Sequence, residues 1–145
     1  MAAGLALCVA VLIVAVVVTR DRSRQQSDIL VSENLTKAVT TTQDPLNETH
    51  GVVRLADVAP FDWDRVLLIA PGTSRAAISR RLGEEWTGID TVDGGEELIF
   101  LRDGKVVRFA DYRGNGRFAG FPRPFAELPR SRAVFVVRDL VIRPR

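Results

Sequence analysis

Asp62-Trp63-Asp64 places two carboxylates on one side of an extended segment and an indole on the other. Such a pair can hold a divalent cation or move protons as general acid and base. A second acidic group, Asp90, Asp93, Glu96 and Glu97, surrounds Gly94-Gly95. Its spacing departs from the regular oxygen ligands of an EF-hand loop. Together these groups define one functional reading: a carboxylate-dependent or metal-assisted hydrolase using Asp62 and Asp64 or the acidic residues from Asp90 to Glu97. Each also has a plainer reading, which we prefer. Asp62 to Asp64 suits the start of a strand with Trp63 packed inward, and the second group suits a solvated turn.

Arginine supplies the other candidate chemistry. Arg113-Gly114-Asn115-Gly116-Arg117 sets free backbone amides between two cations, an arrangement able to cradle an anion. It matches neither the P-loop nor the dinucleotide fingerprint. Arg113, Arg117, Arg123, Arg130 and Arg132 interleave with Phe118, Phe121 and Phe125. Cations mixed with aromatics suit an anionic surface, such as lipid headgroups or an acidic polymer, and nucleic acid fits least. These five arginines are the candidate contact residues. The single histidine, His50, and the single cysteine, Cys8, build no Ser-His-Asp, Cys-His or metal-binding set. The reading is therefore a non-enzymatic binding or interaction module, with no cofactor and no metal. Its partner is another envelope protein or an anionic surface.

Charge is distributed unevenly. The 145 residues carry a formal net charge of +2. Residues 52–112 hold eight basic and eleven acidic groups, whereas residues 113–145 hold eight arginines against Glu127 and Asp139. A basic last quarter following an acidic middle says more about contacts than the total does. Lys37 and Lys105 are the only lysines.

Residues 2–19 read AAGLALCVAVLIVAVVVT, with no charge. Eighteen residues at about 1.5 Å each make a helix of about 27 Å, close to the hydrocarbon thickness of a bilayer. The following AVVVTRD offers no small-residue cleavage site, so the segment reads as an uncleaved, single-pass signal anchor. Arg20, Arg22 and Arg24 end it, and positive-inside pairing would hold them in the cytoplasm. Residues 20–51 are polar and lack sustained periodicity, which predicts a linker with at most a turn or two of helix around Ile29 to Leu35.

Residues 52–145 then form the folded domain. Trp63 to Ala70 predicts a strand closed by Pro71-Gly72. Thr73 or Ser74 caps a helix of about ten residues that buries Ile78 and Leu82 and stops at Gly83. Thr87 to Val92 predicts a weak strand. Asp103-Gly104 between two β-prone runs predicts a type I′ hairpin. A two-residue loop would pair Phe100 with Val107 and Leu98 with Phe109, setting all four on one core face. Residues 113–132 read as a long loop, rich in glycine and proline. Ala133 to Val137 reads as a last strand, with Leu140 to Ile142 extending it or returning from it. The expected fold class is α+β: an N-terminal transmembrane helix plus a small antiparallel sheet with one packed helix.

Phe61-Asp62-Trp63-Asp64-Arg65-Val66, Pro71-x-Thr73-Ser74, Leu82-Gly83 and Trp86 resemble the pattern of an uncharacterised group of small bacterial membrane-anchored or lipoprotein-like proteins. The resemblance spans residues 60–109, including the hairpin with Asp-Gly-Lys at its tip. It implies a globular domain held at the cell envelope, on the extracytoplasmic side, and implies no activity. Where the group shows an aromatic after the proline, this chain has Gly72.

Overall fold

The computed structural model describes residues 27–44, 46, 51–88 and 94–145. Helix α1 (Ile29–Thr41) opens at Asp28, whose side chain accepts the Val31 amide at 3.2 Å. Val31, Leu35 and Val39 follow at four-residue spacing, so they share one face, and all three are buried. A segment read as polar linker is thus a packed helix. Three aliphatics hold its inward side, and Ser32 and Asn34 flank them, donating to the Asp111 and Val58 carbonyls at 3.1 and 3.3 Å.

Strand β1 (Val52–Arg54) leads into a single helical turn, α2 (Leu55–Val58). Strand β2 (Arg65–Ile69) is followed by helix α3 (Arg75–Leu82). Ser74 caps α3 by accepting the Ala77 amide, and Gly83 closes it at φ 74°, a conformation glycine reaches without a Cβ clash. Strands β3 (Glu96–Arg102) and β4 (Lys105–Tyr112) form the predicted hairpin, with Asp103 and Gly104 both at positive φ.

The predicted long loop holds two further strands, β5 (Arg117–Phe118) and β6 (Phe125–Pro129), and a 3-10 turn at Arg130–Arg132. Strand β6 hides its character because it ends on Pro129, which an edge strand tolerates. Strands β7 (Val134–Arg138) and β8 (Val141–Pro144) form a second hairpin, so the last segment returns rather than extends.

These strands make two sheets. The central one has the order β4-β3-β2-β6 and is antiparallel throughout. The second has the order β1-β7-β8-β5, with β5 and β8 parallel. The expected fold class is corrected here. The chain is α+β, but it is rich in sheet, with two four-stranded sheets where one small sheet was expected. Among the described residues no helix is long and apolar enough to cross a membrane. Residues 2–19, on which the expected anchor rested, lie outside the described residues, as do Asp90, Asp93 and most of the expected strand from Thr87 to Val92.

The hairpin register also differs from expectation. Arg102 pairs with Lys105 and Leu101 with Val106, but a bulge between Phe100 and Leu101 then pairs Phe100 with Arg108 and Leu98 with Ala110. One extra residue on β4 turns every later side chain to the other face. Phe109 therefore lies opposite Ile99, away from Leu98 and Phe100.

Both faces of the central sheet are covered as a result. Val66, Leu68, Leu98, Phe100, Ala110 and Tyr112 face a large core shared with the second sheet and α1. Phe100 is enclosed there edge-on by Phe61 and Trp63, and Phe118 by Tyr112 and Phe135. On the reverse face Leu67, Ile69, Ile99 and Phe109 form a smaller core under Ile78 and Trp86. Burial of each large side chain contributes about 1.5–3 kcal/mol.

Candidate functional site

Asp62 and Asp64 help fasten the loop before β2 to the β3–β4 turn. Asp62 is exposed and pairs with Arg102. Asp64 accepts the Asp103 amide at 2.7 Å and lies 3.4 Å from the Arg65 guanidinium. Trp63 points inward, as the alternation predicted, and its indole N–H donates to the Ala59 carbonyl at 3.0 Å. No group of three or more His, Cys, Asp or Glu side chains suited to a metal occurs among the described residues.

Glu96 and Glu97 are adjacent on β3 and so face opposite sides of the sheet. Glu96 meets Arg123 at 3.0 Å beside Leu68, Phe118 and Phe121. Burial raises its carboxyl above the usual range, and Arg123 pulls it part of the way back. Glu97 has no such partner among the described residues. It is fully buried, and neither oxygen makes a hydrogen bond. Its neighbours in register are Ile69 on β2 and Asp111 on β4. Burial pushes its carboxyl up to about 8, and the Asp111 charge adds to the rise. The sequence grouped Glu97 with a solvated turn, although the β-prone run before Asp103-Gly104 also begins there, at Glu97 to Arg102. The run LIFL immediately after was the clue that this strand start is buried.

The five candidate arginines fall at different places. Arg123 lies at the end of the central sheet where β3 begins, bound to Glu96 and to the Phe118 carbonyl. Arg113 follows β4 at the same end, with its Nε 2.6 Å from Asp111. Arg117 is exposed on the edge strand β5 of the second sheet. Arg130 and Arg132 lie on the 3-10 turn after β6, at the opposite end of the central sheet. Five residues of strand separate the ends, roughly 15 Å. Four of the arginines therefore divide between the two ends of the central sheet, and Arg117 lies on the second sheet.

Arg130 is the most constrained of the five. Its guanidinium lies over the Trp63 ring, 4.9 Å from the centroid, and donates to the Phe61 carbonyl at 2.7 Å and the Trp63 carbonyl at 3.3 Å. Arg132 and Arg117 are exposed and carry no ion pair among the described residues.

Beside Arg130 runs an open groove of about 610 Å³. Ala56, Trp63, Pro129, Ala133 and Val134 make its apolar lining, and Arg54, Arg130, Ser131 and Asp64 its polar part. Arg54 was missed from the sequence, because it is 76 residues from Arg130 and only the pairing of Arg54 with Val134 brings β1 beside the 3-10 turn. Arg54 is exposed, and among the described residues its side chain has no carboxylate partner. Asp64, the one carboxylate lining the groove among the described residues, is occupied by Arg65 and the Asp103 amide.

No protein-family model, no curated protein and no solved structure matches the chain.

Proposed function

We propose that the chain is a non-enzymatic binding module whose groove beside Trp63 takes an acidic segment of a partner protein. One observation carries this reading: Arg54 and Arg130 flank an apolar lining while the only lining carboxylate among the described residues is already held by other groups. A groove of 610 Å³ is large enough for a few side chains. Its cations would select acidic ligands and steer their approach. Exposed Arg132 on the same turn extends the positive charge beyond the groove.

The test uses an acidic decapeptide containing one aromatic residue, titrated into the full chain. The indole N–H signals of Trp63 and Trp86 are followed by NMR. The proposal expects the Trp63 signal to move while Trp86, on the far side of the central sheet, stays still. Arg54→Glu combined with Arg132→Glu should weaken binding at least tenfold and flatten its salt dependence. Equal binding by the double variant overturns the proposal, as does a response confined to Trp86.

A further inference from the structure

Glu97 and Asp111 stand directly opposite each other on β3 and β4, so their Cβ atoms lie about 5 Å apart on one face. Both Glu97 oxygens and Asp111 Oδ1 are buried without a hydrogen-bond partner. Buried polar atoms are nearly always satisfied, and three acceptors turned into one small core are an exception that calls for an explanation. Among the described residues no cation pairs with Glu97. Arg113 binds the other Asp111 oxygen, Oδ2, at 2.6 Å. A single proton resolves the arrangement, because a neutral carboxyl gains an O–H to donate and the facing carboxylate has a free lone pair to accept it.

Among the described residues, the other elements around Glu97 leave Asp111 as the charge it meets. Strand β2 offers Ile69 and Leu67. On β6 the same face carries Glu127, which is held by Arg65 at 3.0 Å and Arg81 at 2.5 Å. On α3, Arg75 donates to the Gly88 carbonyl, and Arg80 is exposed. After α3, Glu84 and Glu85 are exposed and Trp86 is buried against Phe109.

We propose that the Glu97–Asp111 pair is a proton-held latch for the face covered by α3 and Trp86. With the proton in place the two carboxyls share the core. Its loss leaves a buried Glu97 charge facing the half-buried Asp111 carboxylate, and α3 with Trp86 loosens from the sheet to let water reach them. The sign follows from the direction of the shift. The Glu97 carboxyl titrates near 8 in the fold and near 4.5 when free, so the folded chain holds one more proton between those values. Rising pH then favours unfolding by about tenfold per unit across that window, and the effect levels off above it.

The experiment has two parts. Urea unfolding of the full chain and of Glu97→Gln is measured from pH 5 to 9, so that every other titrating group cancels in the comparison. The ratio of the two unfolding constants should change by about tenfold per pH unit up to about pH 8. Carbon-13 NMR of the Glu97 carboxyl in the unaltered chain supplies a readout that needs no variant, and Asp111→Asn should move that titration down. Amide exchange in α3, corrected for intrinsic rate, should accelerate above pH 8 while β7 stays protected. A Glu97 carboxyl titrating near 4.5, or parallel pH profiles for the two proteins, overturns the latch. So does stabilisation at pH 8 by millimolar magnesium or calcium that Glu97→Gln abolishes, since a metal ion would then occupy the place given to the proton.

Discussion

On one face of the central sheet Phe100 is enclosed by Phe61 and Trp63 beneath a second sheet and a thirteen-residue helix. On the other, Phe109 meets Trp86 under an eight-residue helix, and the buried groups include an unpartnered carboxyl and an indole N–H without an acceptor. The strands are the same, so the covering elements make the difference. A face closed by a second hydrogen-bonded sheet can opens only by disrupting both sheets. A face closed by one short helix and a loop can open alone, because few buried contacts hold it. The first is suited to persistence and the second to response.

The largest test of this contrast is Phe100→Ala, which should cost about 3–5 kcal/mol of global stability in urea unfolding. Ile78→Ala removes a side chain equally well buried but should cost about 2–3 kcal/mol, because α3 can partly collapse or detach. Equal losses at the two sites would break the comparison. Ser74→Ala removes the α3 cap and should cost about 1 kcal/mol, with faster amide exchange in α3 and none of the increase in β3. Leu140→Gly should raise thermal stability slightly, by about 0.5 kcal/mol, because Leu140 turns the β7–β8 hairpin at φ 57°. Arg81→Ala should matter least, at most about 0.5 kcal/mol by denaturant titration, since its bond to Glu127 is solvent-exposed.

The sequence was most legible where one residue type enforces one backbone conformation. Gly83 closes α3 as read, Ser74 is the one of the two candidate caps that opens it, and Asp103-Gly104 turns the hairpin as read. It was least legible where a distant partner decides. The bulge at Phe100 leaves no mark in composition, yet it moves Phe109 to the other face. Helix α1 was hidden because its apolar spacing is diluted by polar residues, and its stability comes from the core it completes. The candidate arginines were visible as residues, but their division between two ends of a sheet follows from a register that sequence spacing does not contain. Glu97 was read as polar and therefore exposed, the usual case, and the fold makes it an exception.

The start of α1 does more than fill a core. Strand β4 is the outer strand of its sheet, and the residues entering α1 cover its open side. The Asp28 amide donates to the Phe109 carbonyl at 2.7 Å, the Asp111 amide donates to the Ser27 hydroxyl, and the Ser32 hydroxyl donates to the Asp111 carbonyl. Those are the groups through which a bare edge recruits a strand from another molecule. Proteolysis between α1 and β1 would therefore do more than shorten the chain. It would release a guard from a ready template, and the remaining fragment should self-associate through β4.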